Sequence, residues 1–258
     1  MHGERNSGTN FLFQLLRKNN IPSYEGHQIG KLAVLWKHGV PRKATKMIAD
    51  RVINIFIIRK LDDWLISMYN KPYYLYKDMV SFKHFLKASQ RITTKKGGPM
   101  ETYNIENKRP VNWQDEDKDI FDIRYQKIKS YIRYATNQPD VVFVRLDHIQ
   151  NADNCRKFLL KLNDVFKLNV DMSKLVTGFD YNCKDPTKPK QISAYPNPIG
   201  PEERTIIERL KNDEIEEWVN ILKYDIKDGN NFLDNDISND FYENYVNQNN
   251  EIVKTDEE

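Results

Sequence analysis

A chain of 258 residues with 39% hydrophobic and 30% charged positions suits one α/β domain with a sizeable core and is short for two. No run of about 18 apolar residues occurs, so no membrane span is expected, and nothing after Met1, His2 and Gly3 would serve as a signal peptide. Two cysteines, Cys155 and Cys183, are too few for a disulfide framework and fit a reduced, cytoplasmic protein.

The net charge of +3 conceals an asymmetry. Residues 1–100 hold 18 Lys/Arg against 6 Asp/Glu, and the remaining 158 hold 22 against 31. Clustered positive charge concentrates anionic ligands, so the N-terminal part either binds a polyanion or presents a solvated basic face. No basic stripe interleaved with aromatics stands out, and nucleic acid is not an expected partner.

In chain order, residues 3–10 (Gly3-Glu4-Arg5-Asn6-Ser7-Gly8-Thr9-Asn10) have the G-x4-G frame of a phosphate-binding loop opening onto a helix over 8–19. Phe11, Leu12, Leu15 and Leu16 form the apolar stripe of that helix. The buried strand that should precede such a loop is missing, since only Met1 and His2 come before Gly3. Residues 31–38 read as a short strand, and 52–58 (VINIFII) as a strand buried on both faces. Asp62 caps a helix over 63–70, and 93–99 is a polar loop. Helix 118–136 carries Phe121, Tyr125, Ile128 and Ile132 at helical spacing. Strand 140–146 (DVVFVRL) follows, then helix 154–167 with Phe158, Leu159, Leu162 and Phe166 inward. Residues 183–201 hold five prolines and form a loop or lid, before a single helix over 202–223. From Asp225 onward the chain has ten acidic residues against two lysines, and 234–258 is an acidic, Asn-rich, loosely ordered tail.

Strands alternating with helices predict an α/β fold of three layers, with a central, mostly parallel sheet wrapped by helices, in a single domain over 1–233. A loop that aims backbone N–H groups and a helix N-terminus at an anion makes this a P-loop nucleotide-binding type. Nucleotide hydrolysis would continue Gly-Lys-Ser/Thr, where the hydroxyl holds magnesium. Here Gly8-Thr9-Asn10 lacks that lysine, and Asn10 stands in place of the hydroxyl, so the anion cradle remains without the metal chemistry.

The string Arg5-Asn6-Ser7-Gly8-Thr9-Asn10-Phe11-Leu12 resembles the phosphosulfate-binding loop of sulfotransferases that use 3′-phosphoadenosine 5′-phosphosulfate (PAPS). By that resemblance Ser7, Gly8, Thr9 and Asn10 hold the 5′-phosphosulfate and Phe11 stacks on adenine. Asn6 occupies the family's Lys/Arg position, which passes the cationic role to Arg5 or Lys37. The family grips the 3′-phosphate with an Arg at a strand end and a Ser eight residues later; Arg59 and Ser67 match that pair. Trp36-Lys37-His38-Gly39-Val40-Pro41 resembles the segment with a Lys and then the catalytic base, which makes His38 the base and Glu4 the fallback. Val144-Arg145-Leu146-Asp147 falls where the family ends a strand in Val-Arg-Tyr-Glu-Asp, with Asp147 structural. Lys227-Asp228-Gly229 stands in for a late basic-glycine motif at the 3′-phosphate.

The resemblance implies transfer of a sulfuryl group from PAPS, without a metal, to a hydroxyl or amine of a small-molecule or carbohydrate acceptor. Two alternatives stay open: a module that binds nucleotide without turnover, and a phosphate-loop nucleoside or nucleotide kinase, which the missing Gly-Lys-Ser/Thr disfavours. Neither the acceptor nor the oligomeric state is legible in the sequence.

Overall fold

The computed structural model describes residues 1–4, 6–23, 53–71, 81–87, 119–136, 138–177, 197–228 and 231–232. Two apolar runs form the middle of its sheet: Asn54–Ile58 (β2) and Asp140–Arg145 (β3), every residue of which is buried. They pair in parallel, Asn54 opposite Val141 through Ile58 opposite Arg145. His2–Gly3 (β1) supplies the strand that the sequence reading found missing before the loop, pairing in parallel with β2 through His2–Phe56 and Gly3–Ile57. Tyr224–Asp228 (β4) and Asn231–Phe232 (β5) complete the order β1-β2-β3-β4-β5, and both of their pairings are antiparallel. The sheet is therefore mixed rather than mostly parallel.

Strand alternation sends successive side chains to opposite faces, so one sheet serves two cores. Ile55, Ile57, Val142, Val144 and Ile226 pack against Thr9–Lys18 (α1), Leu146–Gln150 (α5) and Ala152–Phe166 (α6). Phe56, Ile58, Val141 and Phe143 pack against Leu61–Asn70 (α2), Phe82–Lys87 (α3), Ile120–Thr136 (α4), Pro201–Leu210 (α7) and Asp213–Ile221 (α8). Helices on both faces make an α/β arrangement of three layers. The expected stripes are buried: Leu12, Leu15 and Leu16 in α1, Phe121, Tyr125, Ile128 and Ile132 in α4, Phe158, Leu159, Leu162 and Phe166 in α6. Burial of each such side chain is worth roughly 1.5–3 kcal/mol of transfer free energy.

Three local expectations are corrected. The single helix expected over 202–223 is two: Lys211 takes extended angles, and the Asn212 side chain accepts from the Ile215 amide to start α8 afresh. Asp62 is not a cap, because α2 begins at Leu61 with Lys60 at its N-cap; Asp62 instead pairs with Arg204 of α7 at 2.6 Å. Residues 224–228, for which no element was expected and whose acidic composition runs on into the tail, are a strand, with Asp225, Ile226 and Lys227 buried. The strand expected over 31–38, the loop 93–99 and the tail 234–258 lie outside the described residues.

Candidate functional site

β1, β2 and β3 run parallel, so Gly3, Ile58 and Arg145 bring their following loops to one sheet edge, where open α/β sheets bind ligands. The first loop is a tight turn. A Cβ on Gly3 would lie 2.6 Å from Ser7 Oγ and 2.8 Å from Ile57 Cγ2, so a side chain has no room. The Ser7 amide and hydroxyl both donate to the Glu4 carbonyl, at 3.2 and 2.7 Å. Asn6 is left-handed at φ 59°, and Gly8 reaches φ 99°, where a Cβ would also meet Leu146 Cδ1 at 2.6 Å. The two glycines thus deliver the chain into α1, whose first N–H groups lack intrahelical partners and carry the positive end of the helix dipole.

The second motif meets this loop. Arg59 Nη1 donates to the Asn6 carbonyl at 3.2 Å, and Asn6 Nδ2 donates to the carbonyls of Ser67 at 3.2 Å and Lys71 at 3.1 Å. Asn6 is therefore a strut between the loop and α2. Ser67 is buried and takes part through its carbonyl. Burial lowers the Arg59 guanidinium from its ordinary value, against the opposing influence of Asp63 and Asp147.

Beneath the loop lies a charge cluster that the sequence reading missed. Arg124 of α4 is fully buried; its Nη1 donates to Glu4 Oε2 at 2.8 Å and its Nε to Glu216 Oε1 of α8 at 2.7 Å. Its Nη2 reaches Glu216 Oε2 at 3.2 Å and the Arg59 carbonyl at 2.9 Å, and the guanidinium lies 5.1 Å over the Trp64 ring. Two carboxylates share one guanidinium in a buried site. Burial pushes the Glu4 carboxyl up to about 7, with Glu216 adding to the rise while Arg124 and Lys127 act against it. Burial alone would lower Arg124, but Glu4 and Glu216 outweigh it and hold the guanidinium above its ordinary value. The available signal was position: Arg124 falls on the buried face of α4, three residues after Phe121 and four before Ile128. Glu4, the fallback base, has no exposed surface and faces Arg124, which removes it from reach of an acceptor.

The remaining sequence candidates separate. Thr9 is buried beside Gly3, Asn10 is exposed, and Phe11 packs partly buried against the α1 core. Asp147 accepts from Arg145 Nε at 2.7 Å and lies 3.6 Å from Lys60 Nζ, holding the β3–α5 junction beside the β2–α2 turn. Lys227 is a correction. It pairs with Val141, at the opposite end of the sheet from the loop, and its Nζ donates to the carbonyls of Ala135 and Thr136 at the end of α4. Arg5, Lys37 and His38 lie outside the described residues.

No protein-family profile, curated protein or solved structure matches this chain.

Beside the turn after β2, a cavity of about 310 Å³ opens between the start of α2 and α7–α8, with Lys60, Asp63, Glu216 and Asn220 among its walls. Among the described residues no cluster of three or more metal-ligating side chains occurs, and no helix is long and apolar enough to cross a membrane. What the edge brings together is a tight glycine loop, a helix N-terminus and one arginine.

Proposed function

We propose that this chain is a P-loop sulfotransferase that moves a sulfuryl group from PAPS to a hydroxyl or amine of a small-molecule or carbohydrate acceptor. The contact that carries the reading is Arg59 Nη1 to the Asn6 carbonyl at 3.2 Å. It joins the two segments that separately resemble the phosphosulfate loop and the 3′-phosphate clamp. A donor with phosphate at both ends of its ribose needs positive groups spaced around it, and the start of α1 with Arg59 on the adjoining turn suits that charge pattern.

In this reading the amides of Gly8–Asn10 at the α1 N-terminus hold the 5′-phosphosulfate above the turn that Ser7 closes on the Glu4 carbonyl, and Arg59 with Ser67 holds the 3′-phosphate. His38 takes the acceptor proton as the acceptor oxygen or nitrogen bonds to sulfur. As the bond from sulfur to the oxygen bridging to the 5′-phosphate breaks, negative charge grows on that oxygen, and Arg5, Lys37 and the loop amides stabilise it. The carboxylate of Glu4 keeps a structural role.

Thermal denaturation with nucleotides tests the donor. 3′-Phosphoadenosine 5′-phosphate should raise the melting temperature well above the effect of ATP with magnesium. Equal stabilisation by the two would favour a kinase. Binding of the bisphosphate with no transfer from radiolabelled PAPS to any of a broad acceptor set would leave a nucleotide-binding module.

A further inference from the structure

Arg124 is a fully buried guanidinium whose donors go to three different elements, and two of those elements build the anion cradle. Nη1 holds the loop between β1 and α1 through Glu4 Oε2, at 2.8 Å. Nη2 holds the turn between β2 and α2 through the Arg59 carbonyl, at 2.9 Å. Nε anchors the fork itself on Glu216 of α8, and Trp64 of α2 lies under its plane. The planar guanidinium presents these donors at fixed angles, so the loop cannot shift against the turn without breaking a buried, charge-assisted hydrogen bond.

We infer that Arg124 is the positioning residue of the cradle, setting the Gly3–Gly8 loop and the Arg59 turn in one geometry without touching the ligand. The assignment of that ligand as the PAPS product 3′-phosphoadenosine 5′-phosphate rests on the proposed function; the coupling of loop to turn does not. A residue that only stabilised the fold would loosen the whole molecule when changed. A positioning residue loosens its two targets together and leaves the sheet alone.

Arg124→Lys keeps the charge and loses the planar fork, so it no longer sets Glu4, Glu216 and the Arg59 carbonyl at fixed angles to one another. Amide hydrogen exchange on the full chain without nucleotide reads the coupling. The Ser7 amide, bonded to the Glu4 carbonyl, and the Trp64 amide, bonded to the Lys60 carbonyl, report on loop and turn, with the strand amides of Ile55 and Val142 as controls. Both reporters should exchange about tenfold faster in Arg124→Lys, with the controls unchanged. Affinity for 3′-phosphoadenosine 5′-phosphate should fall about tenfold in parallel. Acceleration at the controls as well, or at neither reporter, would overturn the positioning role. Loop and turn loosening together in a protein whose parent does not bind the bisphosphate would uphold the positioning role and refute the donor assignment. Should Arg124→Lys not fold, the triple variant Glu4→Gln/Arg124→Met/Glu216→Gln removes all three charges at once, leaves no orphaned ion in the core, and is read in the same way.

Discussion

The Arg59 guanidinium donates to the main-chain carbonyl of Asn6 across 53 positions of sequence, and that bond joins the glycine loop to the turn after β2. An arginine so held is partly exposed at the sheet edge. Its substitution should therefore have a selective effect. Charge-assisted hydrogen bonds to phosphate contribute on the order of 1.5–3 kcal/mol. Arg59→Ala should weaken binding of 3′-phosphoadenosine 5′-phosphate by about 10- to 100-fold in calorimetric titration. Adenosine 5′-phosphosulfate, which lacks the 3′-phosphate, should lose no more than a few-fold. Equal losses for both ligands would make Arg59 a brace for the loop and nothing more.

The Glu4 carboxyl is pushed from 4.5 up to about 7 on folding, because burial disfavours its charge and Glu216 competes for the same guanidinium. The sign follows from linkage. Between those two values the folded chain holds a proton that the unfolded chain has released, so this group's contribution to stability is complete below pH 4.5 and is lost as pH rises to about 7. The facing groups are Arg124 and Lys127 from α4 and Glu216 from α8. Glu4→Gln mimics the protonated form and should match the parent near pH 5 in denaturant melts, yet exceed it at pH 8 by on the order of 1–3 kcal/mol. A constant difference across that range would show that Glu4 does not titrate there.

Lys227 is buried with its ammonium on the last carbonyls of α4, and burial lowers its proton affinity. Cations at a helix C-terminus satisfy carbonyls that have no intrahelical donor. Lys227→Met should accordingly lower the melting temperature, at a cost of about 1–3 kcal/mol, and leave the affinity for 3′-phosphoadenosine 5′-phosphate unchanged. A loss of nucleotide affinity in the folded variant would restore the late basic-glycine motif to the site.

His38 carries the base assignment. General-base catalysis contributes about 10²–10⁴-fold, so His38→Ala should reduce turnover by that factor with nucleotide affinity kept within a few-fold. The assay is sulfuryl transfer per folded molecule, alongside a melting curve. Intact turnover with a lowered melting temperature would identify a structural histidine instead.

The sequence by itself determined the elements whose signal is local. Helices α1, α4 and α6 and strands β2 and β3 were legible because an amphipathic helix repeats its apolar residues at 3.6 and a strand buried on both faces is apolar throughout. The glycine loop was legible as well, since a left-handed Gly8 and a crowded Gly3 are demands of the turn itself. Only the tertiary structure decided the rest. Tyr224–Asp228 is a strand because β3 offers an antiparallel partner, although its Asp and Lys look like tail composition. The expected helix 202–223 breaks because Lys211 takes extended angles and Asn212 caps a second helix whose Ile215, Trp218 and Val219 lie in the core. Asn6 became a strut and Arg124 the hub of a buried cluster because Glu4, Arg59, Ser67 and Glu216 arrive from distant segments, and hydrogen bonds between such segments have no period in the sequence.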